Sequence, residues 1–410
     1  MTCSFVPQAT TLNYRLEIGV HYNLTDRVIP SDFWILLGEA KSKCEHLANA
    51  PLLPDLAKQL HQVSLIKGVH GTVAIEGNTL TEAQIQQQIN GTLTLPPSQE
   101  YLATEVNNVI QAVNDIAQKV AREEIKVLSV ALIKEFNQKV LKDLELGEGV
   151  VPGQIRVSSF GVARYRGAPA SECQYLLDRL CDWLNGPDFA SPPGGQDKTL
   201  ITAIIKAVLA HLYLEWIHPF GDGNGRTGRL LEFVILINAG LPSPAAHLLS
   251  NHYNHTRSEY YRQLDLSSRS NGDVVPFLQY AIKGFVEGLR EHLEAVRYQQ
   301  WQLTWKNHVW DSFKGKSSPS DERQRHLVLD MSKDHQLIPL NKLTEISPRV
   351  AKAYATKTQK TLMRDLKSLM ALDLIESKDG GYKTKIGKVI ALLPYRHIRL
   401  PEQTAAQPLL

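Results

Sequence analysis

Residues 218–229 read His-Pro-Phe-Gly-Asp-Gly-Asn-Gly-Arg-Thr-Gly-Arg, a stretch dense in groups able to do chemistry. Gly223, Asn224 and Gly225 tolerate backbone angles that turn successive N–H groups inward. An apolar helical run follows at once, so the positive end of a helix dipole meets the same spot. A nest at a helix N-terminus binds phosphate. Arg226 and Arg229 are three apart, neighbours on the first turn, and their planar forks suit phosphate oxygens. Asp222 is a hard oxygen ligand suited to holding Mg²⁺ against those oxygens. His218 lies just outside and can take a proton near neutral pH. A base, a metal ligand, an anion nest and two cations are the parts that transfer from a nucleotide needs. Phe220 is assigned to packing, holding the loop on the core.

The flanking patterns predict how this loop is positioned. Residues 199–216 and 229–238 are strongly apolar and predict two central helices on either side of it. Ser31 caps a helix through Phe33, Leu36, Leu37 and Ala40, and a second helix runs from Asp55 towards Glu76, stopping at Gly77-Asn78. Thr79 with Glu82, or Thr81 with Gln84, gives a capping box for the next helix. Leu102, Val106, Val109, Val113, Ile116 and Val120 form one helical stripe, and Leu132, Ile133, Phe136, Val140 and Leu144 another. Between Val150 and Arg166 the pattern breaks into a glycine-turn hairpin that includes Phe160, and a helix returns at Ser171. A loop, FASPPGGQDK, precedes the apolar run at Thr199.

The tail differs. A helix opening with Leu327–Met331, a short helix over 339–346, a third over 356–372 and two strands around the turn 377–381 give the order of a winged helix-turn-helix. Lys352, Lys357, Lys360, Arg364 and Lys367 lie in and before its third helix, and the last three recur on one side, making DNA a candidate partner. The expected fold is mainly α: a helical bundle with a β-hairpin, then a small winged-helix domain. The expected division is 1–105, an N-terminal helical region; 106–295, the catalytic core; and 296–410, the C-terminal domain.

The bulk composition agrees. With 410 residues, 43% hydrophobic and 21% charged, the chain reads as an ordinary globular protein of more than one domain. A net charge of +3 excludes a wholly basic nucleic-acid binder but not a local basic face. Cys3, Cys44, Cys173 and Cys181 form no CxxC pair, which argues against zinc, and Cys173 and Cys181 read as buried side chains. No signal peptide or membrane-spanning run is expected, so the expected location is cytoplasmic.

The segment His218–Arg229 resembles the Fic signature HxFx(D/E)GNGRxxR at every typed position, and the resemblance runs from about residue 10 to about residue 290 with the flanking helices and hairpin. It implies a protein adenylyltransferase that moves AMP from ATP to a Ser, Thr or Tyr hydroxyl with release of pyrophosphate. By match, His218 deprotonates the target hydroxyl and Asp222 holds Mg²⁺. Gly223, Asn224, Gly225, Arg226, Thr227 and Gly228 line the ATP site, and Arg229 engages the γ-phosphate. His255, after the motif helix, is a candidate for the adenine pocket; Tyr260 and Tyr261 are expected to pack in the core. The hairpin around 152–156 resembles the family's flap, an edge for a target strand. Thr72-Val73-Ala74-Ile75-Glu76-Gly77 resembles the inhibitory motif (S/T)xxxE(G/N) of the subclass that carries its inhibitor before the core, so Glu76 is expected to pair with Arg229. Protein hydroxyls are the implied partners, with self-modification and a homodimer left open. Two rival readings stand beside this one: a hydrolase that removes AMP using Glu76, and a DNA-binding regulator whose core only senses nucleotide.

Overall fold

The computed structural model describes residues 31–52, 54–158, 161–162, 165–189, 196–269, 273–333 and 336–389. Cys3, Phe160 and most of the FASPPGGQDK loop lie outside them. The chain divides into two compact units, one running to Leu293 and the other from Glu294.

The first unit opens with α1 (Ser31–Asn49), α2 (Pro54–Ala74) and α3 (Glu82–Ile89). Gly77 stops α2 at φ +101°, a conformation open to glycine, while the Asn78 N–H returns to the Val73 carbonyl. Of the two capping boxes considered for α3, the Thr81–Gln84 pair is the one formed. Then come α4 (Glu100–Ala121), α5 (Val130–Val140), the strands β1 (Gly161–Val162) and β2 (Tyr165–Arg166), and α6 (Ala170–Leu184). Leu102, Val106, Val109, Val113, Ile116, Ile133, Phe136 and Val140 are all buried, as their spacing predicts. β1 and β2 pair as an antiparallel hairpin, Val162 opposite Tyr165. The expected hairpin around 152–156 is therefore displaced. That segment is a turn at Gly153 (φ +74°), followed by a single bridge between Ile155 and Phe220. Pro152 lacks an N–H for a ladder, which favours the turn.

The core of the unit is α7 (Gln196–Ile217) against α8 (Asn224–Asn238), with α9 (Ser243–Ala246), α10 (Leu248–His255), α11 (Arg257–Arg269) and the first part of α12 (Val275–Ser312) around them. Leu200–Ile217 is, against the expectation, apolar and long enough to cross a membrane, with mean hydropathy 1.6, but 72% of it is buried inside the structure. Its apolar surface is satisfied by protein. Close packing needs glycine at particular points: a Cβ on Gly68 of α2 would overlap the His247 ring, and one on Gly228 of α8 would come within 2.7 Å of His211 Nδ1.

The second unit has its own core of Trp305, Val309, Phe313, Leu327, Leu343, Leu366 and their neighbours. Its elements are the end of α12, then α13 (Pro319–Met331), β3 (Ile338–Pro339), α14 (Pro348–Tyr354), α15 (Gln359–Ala371), β4 (Ile375–Lys378) and β5 (Gly381–Thr384). The sheet order is β3-β5-β4, antiparallel throughout. Asp379 and Gly380 turn β4 into β5 with φ of +50° and +79°, the left-handed pair an Asp-Gly hairpin turn requires. The strand β3 was not expected: two residues ending in proline carry no alternation to read.

Candidate functional site

The motif loop joins the end of α7 to the start of α8, and the residues on both sides of it hold its shape. Gly223 caps α8 in the left-handed region at φ +76°. Asn224 closes the loop on itself, its Oδ1 accepting from the Phe220 N–H at 3.0 Å and its Nδ2 donating to the Phe220 carbonyl at 2.9 Å. The Thr227 hydroxyl donates to the Gly223 carbonyl at 2.7 Å. Asn224 and Thr227 therefore present their side chains to the loop backbone, and their contribution to a ligand is to set the direction of the N–H groups. Phe220 is buried as expected. Asn137 of α5, invisible as a site residue in the sequence, is fully buried and spans two loops: its Nδ2 donates to the Asp222 carbonyl at 2.9 Å and its Oδ1 accepts from the Gly153 N–H at 2.9 Å.

His218 sits in the left-handed region at φ +47°, uncommon for a residue with a side chain, and such strain concentrates at functional sites. Arg156 holds that conformation from below. Buried at 6% exposure, it donates from Nε to the His218 carbonyl at 2.8 Å, from one terminal nitrogen to Ser158 O at 2.7 Å and from the other to Ala168 O. Burial pushes the His218 imidazole down to about 4, with a hydrogen bond to the Glu215 backbone working the other way and Arg156 adding to the depression. His218 is therefore neutral near pH 7 and able to accept a proton. Glu215 lies one helical turn earlier, its Oε2 3.7 Å from His218 Nδ1. Burial and then the charge of Glu76 push Glu215 up to about 8, with Arg229 opposing, so it is mostly protonated near neutrality.

Arg229 is the buried centre of the site, 2% exposed. One terminal nitrogen donates to Glu76 Oε1 and, at 2.9 Å, to the Thr72 carbonyl. Its Nε and other terminal nitrogen have no partner. The pair expected from the sequence is present, with one carboxylate oxygen rather than both engaged. Burial raises the Glu76 carboxyl, but the charge and hydrogen bond of Arg229 outweigh it, and the net shift is downward. Glu76 remains ionised. A Cβ on Gly225 would overlap Glu76 Oε1, which places the carboxylate against the first turn of α8, where a helix N-terminus receives an anion.

Arg226 pairs with Glu105 of α4 at 2.9 Å and with Asp222 Oδ1 at 3.2 Å. The other Glu105 oxygen accepts from Asn78 Nδ2 at 2.8 Å, so one carboxylate ties the exit of the Glu76 helix to a motif arginine. No local pattern marks Glu105; the link crosses well over a hundred residues of sequence. Asp222 keeps a half-exposed carboxylate at the mouth of the nest. His255 is exposed and its Nδ1 bonds the Asn251 carbonyl at 2.9 Å; among the described residues no contact joins it to the motif loop. Tyr260 is buried and its hydroxyl meets His211 Nε2 at 2.8 Å. Tyr261, expected in the core, is 44% exposed, with its hydroxyl on the Ile75 carbonyl and its ring under Arg257. Its neighbour takes the inward position of α11.

Residues 127–236 match the Fic/DOC family. Over 230 residues the chain is 30% identical to "Protein adenylyltransferase fic-1" of Caenorhabditis elegans, a stretch that covers 56% of this chain and 41% of that protein. "Protein adenylyltransferase Fic" of Drosophila grimshawi is 27% identical over 237 residues, 57% of this chain and 43% of that one. The chain thus spans about two fifths of the length of the curated relatives it matches. Among solved structures, a Fic family protein from Desulfovibrio desulfuricans shares the fold with a TM-score of 0.53 at 21% identity, over 87% of this chain and 97% of that one. Fic-1 of C. elegans does so with a TM-score of 0.53 at 24% identity, over 65% and 73%. The similarity to the Fic/DOC family is thus carried by residues 127–236, which run from α5 into α8 and hold the motif loop.

Proposed function

We propose that this chain is a protein adenylyltransferase that moves AMP from ATP to a protein hydroxyl, and that Glu76 holds it inactive. One observation carries the reading: an ionised carboxylate from another helix lies on the buried arginine and the helix N-terminus that would receive nucleotide phosphate, within reach of a neutral histidine. The names of the relatives support AMP as the transferred group.

In this account the first N–H groups of α8, with Arg226 and Arg229, receive the triphosphate of ATP. His218 takes the proton of a Ser, Thr or Tyr hydroxyl, whose oxygen attacks the α-phosphorus. The bond from that phosphorus to the bridging oxygen of the β-phosphate breaks, and pyrophosphate leaves. Asp222 fits a Mg²⁺ ion, being a half-exposed carboxylate beside the nest; the ion, when bound, would neutralise phosphate charge. While Glu76 occupies Arg229, the γ-phosphate lacks its partner and the α-phosphate is not held for attack, and positioning is most of the catalysis in this chemistry. The test is mass spectrometry of proteins incubated with the Glu76→Gly variant, ATP and Mg²⁺. A hydroxyl carrying one AMP moiety supports the reading, whereas a phosphate or another group in its place contradicts it. If wild type, but not Glu76→Gly, strips AMP from the modified protein, Glu76 serves the hydrolytic rival instead.

A further inference from the structure

The transfer site leaves the second unit without a task, and that unit exposes a run of cations on one helix and the turn before it. Its order, α13-β3-α14-α15-β4-β5 with a β3-β5-β4 sheet, is that of a winged helix, in which the second helix of a helix-turn-helix pair enters the major groove of DNA. Here that pair is α14 and α15, joined by residues 355–358. We propose that the exposed face of α15, with the turn before it, binds the phosphate backbone of duplex DNA.

Residues 348–371 contain Arg349, Lys352, Lys357, Lys360, Arg364 and Lys367 but a single acid, Asp365. Asp365 points inward. It is fully buried and accepts from Arg323 Nε at 2.8 Å, Gln324 Nε2 at 2.9 Å and the Tyr354 hydroxyl at 3.0 Å. The one negative charge on α15 therefore serves to fix the helix on α13 and leaves the outer face cationic. Arg349 is neutralised by Asp330. Lys352, Lys357, Lys360, Arg364 and Lys367 are exposed, and among the described residues none is within ion-pair distance of an acid. Lys360, Arg364 and Lys367 fall at i, i+4 and i+7, one stripe along the helix. Three other lysines around the wing have partners: Lys383 with Glu376, and Lys385 and Lys388 with Asp373. At the hairpin tip Lys378 is exposed beside Asp379. Unpaired cations in a row along one helix match the spacing of a polyanion backbone. A protein partner would more often call for apolar anchors, and here Leu362, Leu366 and Leu369 are all turned into the core.

The inference does not depend on the transfer reading, and its test uses no nucleotide. Fluorescence anisotropy of a labelled DNA duplex is followed with the full chain across a salt series. Each phosphate neutralised contributes about 0.9 to the slope of log K against log salt, so five contacts give about −4.5 and the variant Lys360→Ala/Arg364→Ala/Lys367→Ala about −2. The expected result is salt-dependent binding that weakens at least tenfold in the triple variant at low salt, with an unchanged melting temperature because all three side chains are on the surface. No binding at low salt, binding indifferent to the three substitutions, or tighter binding to an RNA duplex than to DNA would each overturn the proposal.

Discussion

Two arginine–carboxylate pairs, one in each unit, each bury one partner fully, Arg229 in the first and Asp365 in the second, and they differ in how completely that partner is bonded. In the second unit Asp365 accepts from Arg323, Gln324, Tyr354 and Ser320, and both its oxygens are engaged. In the first unit Arg229, equally buried, gives one terminal nitrogen to Glu76 and Thr72 and leaves two nitrogens unpaired. A fully bonded buried pair fixes a structure. A half-bonded one holds unsatisfied donors at a cost of about 1–3 kcal/mol per group, a cost that persists where a ligand is to complete the set. On this view Asp365 is structural, and Glu76 stands in for the ligand of Arg229.

The comparison breaks most clearly at the arginine. In a Glu76→Gly background, Arg229→Ala should lower AMP transfer by roughly 10²–10³-fold, the loss typical of removing one preorganised charge-stabilising group. Equal initial rates with and without Arg229 would remove it from the site. Its counterpart behaves oppositely. Asp365→Ala strands Arg323 and should destabilise the second unit by about 3–5 kcal/mol, seen as earlier urea unfolding, while initial transfer rates of the Glu76→Gly protein stay within about twofold. A large fall in transfer would mean that Asp365 is not merely structural.

Smaller effects sharpen the contrast. Gly68→Ala puts a methyl into the His247 ring and should cost about 1–3 kcal/mol by forcing α2 from its seat on α10. Because α2 leads into Glu76, wild-type transfer should rise severalfold; lowered stability with an unchanged rate would show that the brake does not need that seat. The units should also part on acidification. In the first, burial depresses His70, His211, His218, His247, His252 and His292, with His211 and His247 down to about 3 and His292 to about 4. Groups whose folded value lies below the unfolded one give stability that is present above the unfolded value, about 6.5 for histidine, and lost as pH falls toward the folded value. Glu215 and Glu232 are raised and oppose this, two groups against six. In the second unit the lowered groups are Asp321, Asp330 and Asp365, whose support is lost only below the ordinary aspartate range. Pulsed hydrogen exchange should therefore show the first unit opening at a higher pH than the second; the reverse order would contradict the assignment of these groups.

What could be read from the sequence follows from distance along the chain. The nest, the two motif arginines and His218 lie within one turn and its flanks, so their types and spacing are visible together. Glu76 is legible only through its own short motif. Arg156, Asn137, Glu105 and Glu215 are not, because each acts through a fold-level contact: Asn137 reaches the motif loop from α5, and Glu105 reaches Arg226 from α4. The strain at His218 is equally hidden, since it comes from Arg156 holding a carbonyl rather than from a glycine. In the second unit α15 and the Asp-Gly turn carry strong local signals, whereas α14 was not expected and Leu327–Met331, expected to open a helix, ends α13 instead. The two-residue strand β3 forms because β5 offers it a partner.

The central claim is that Glu76 occupies the place of a phosphate on Arg229 and that His218 is the base. Wild type, Glu76→Gly and Glu76→Gly/His218→Ala are incubated with Mg²⁺ and ATP labelled on the α-phosphate, in the presence of a whole lysate. The account predicts faint protein label with wild type, strong label with the single variant and none with the double. Equal label in wild type and Glu76→Gly, or label that survives the loss of His218, would contradict it.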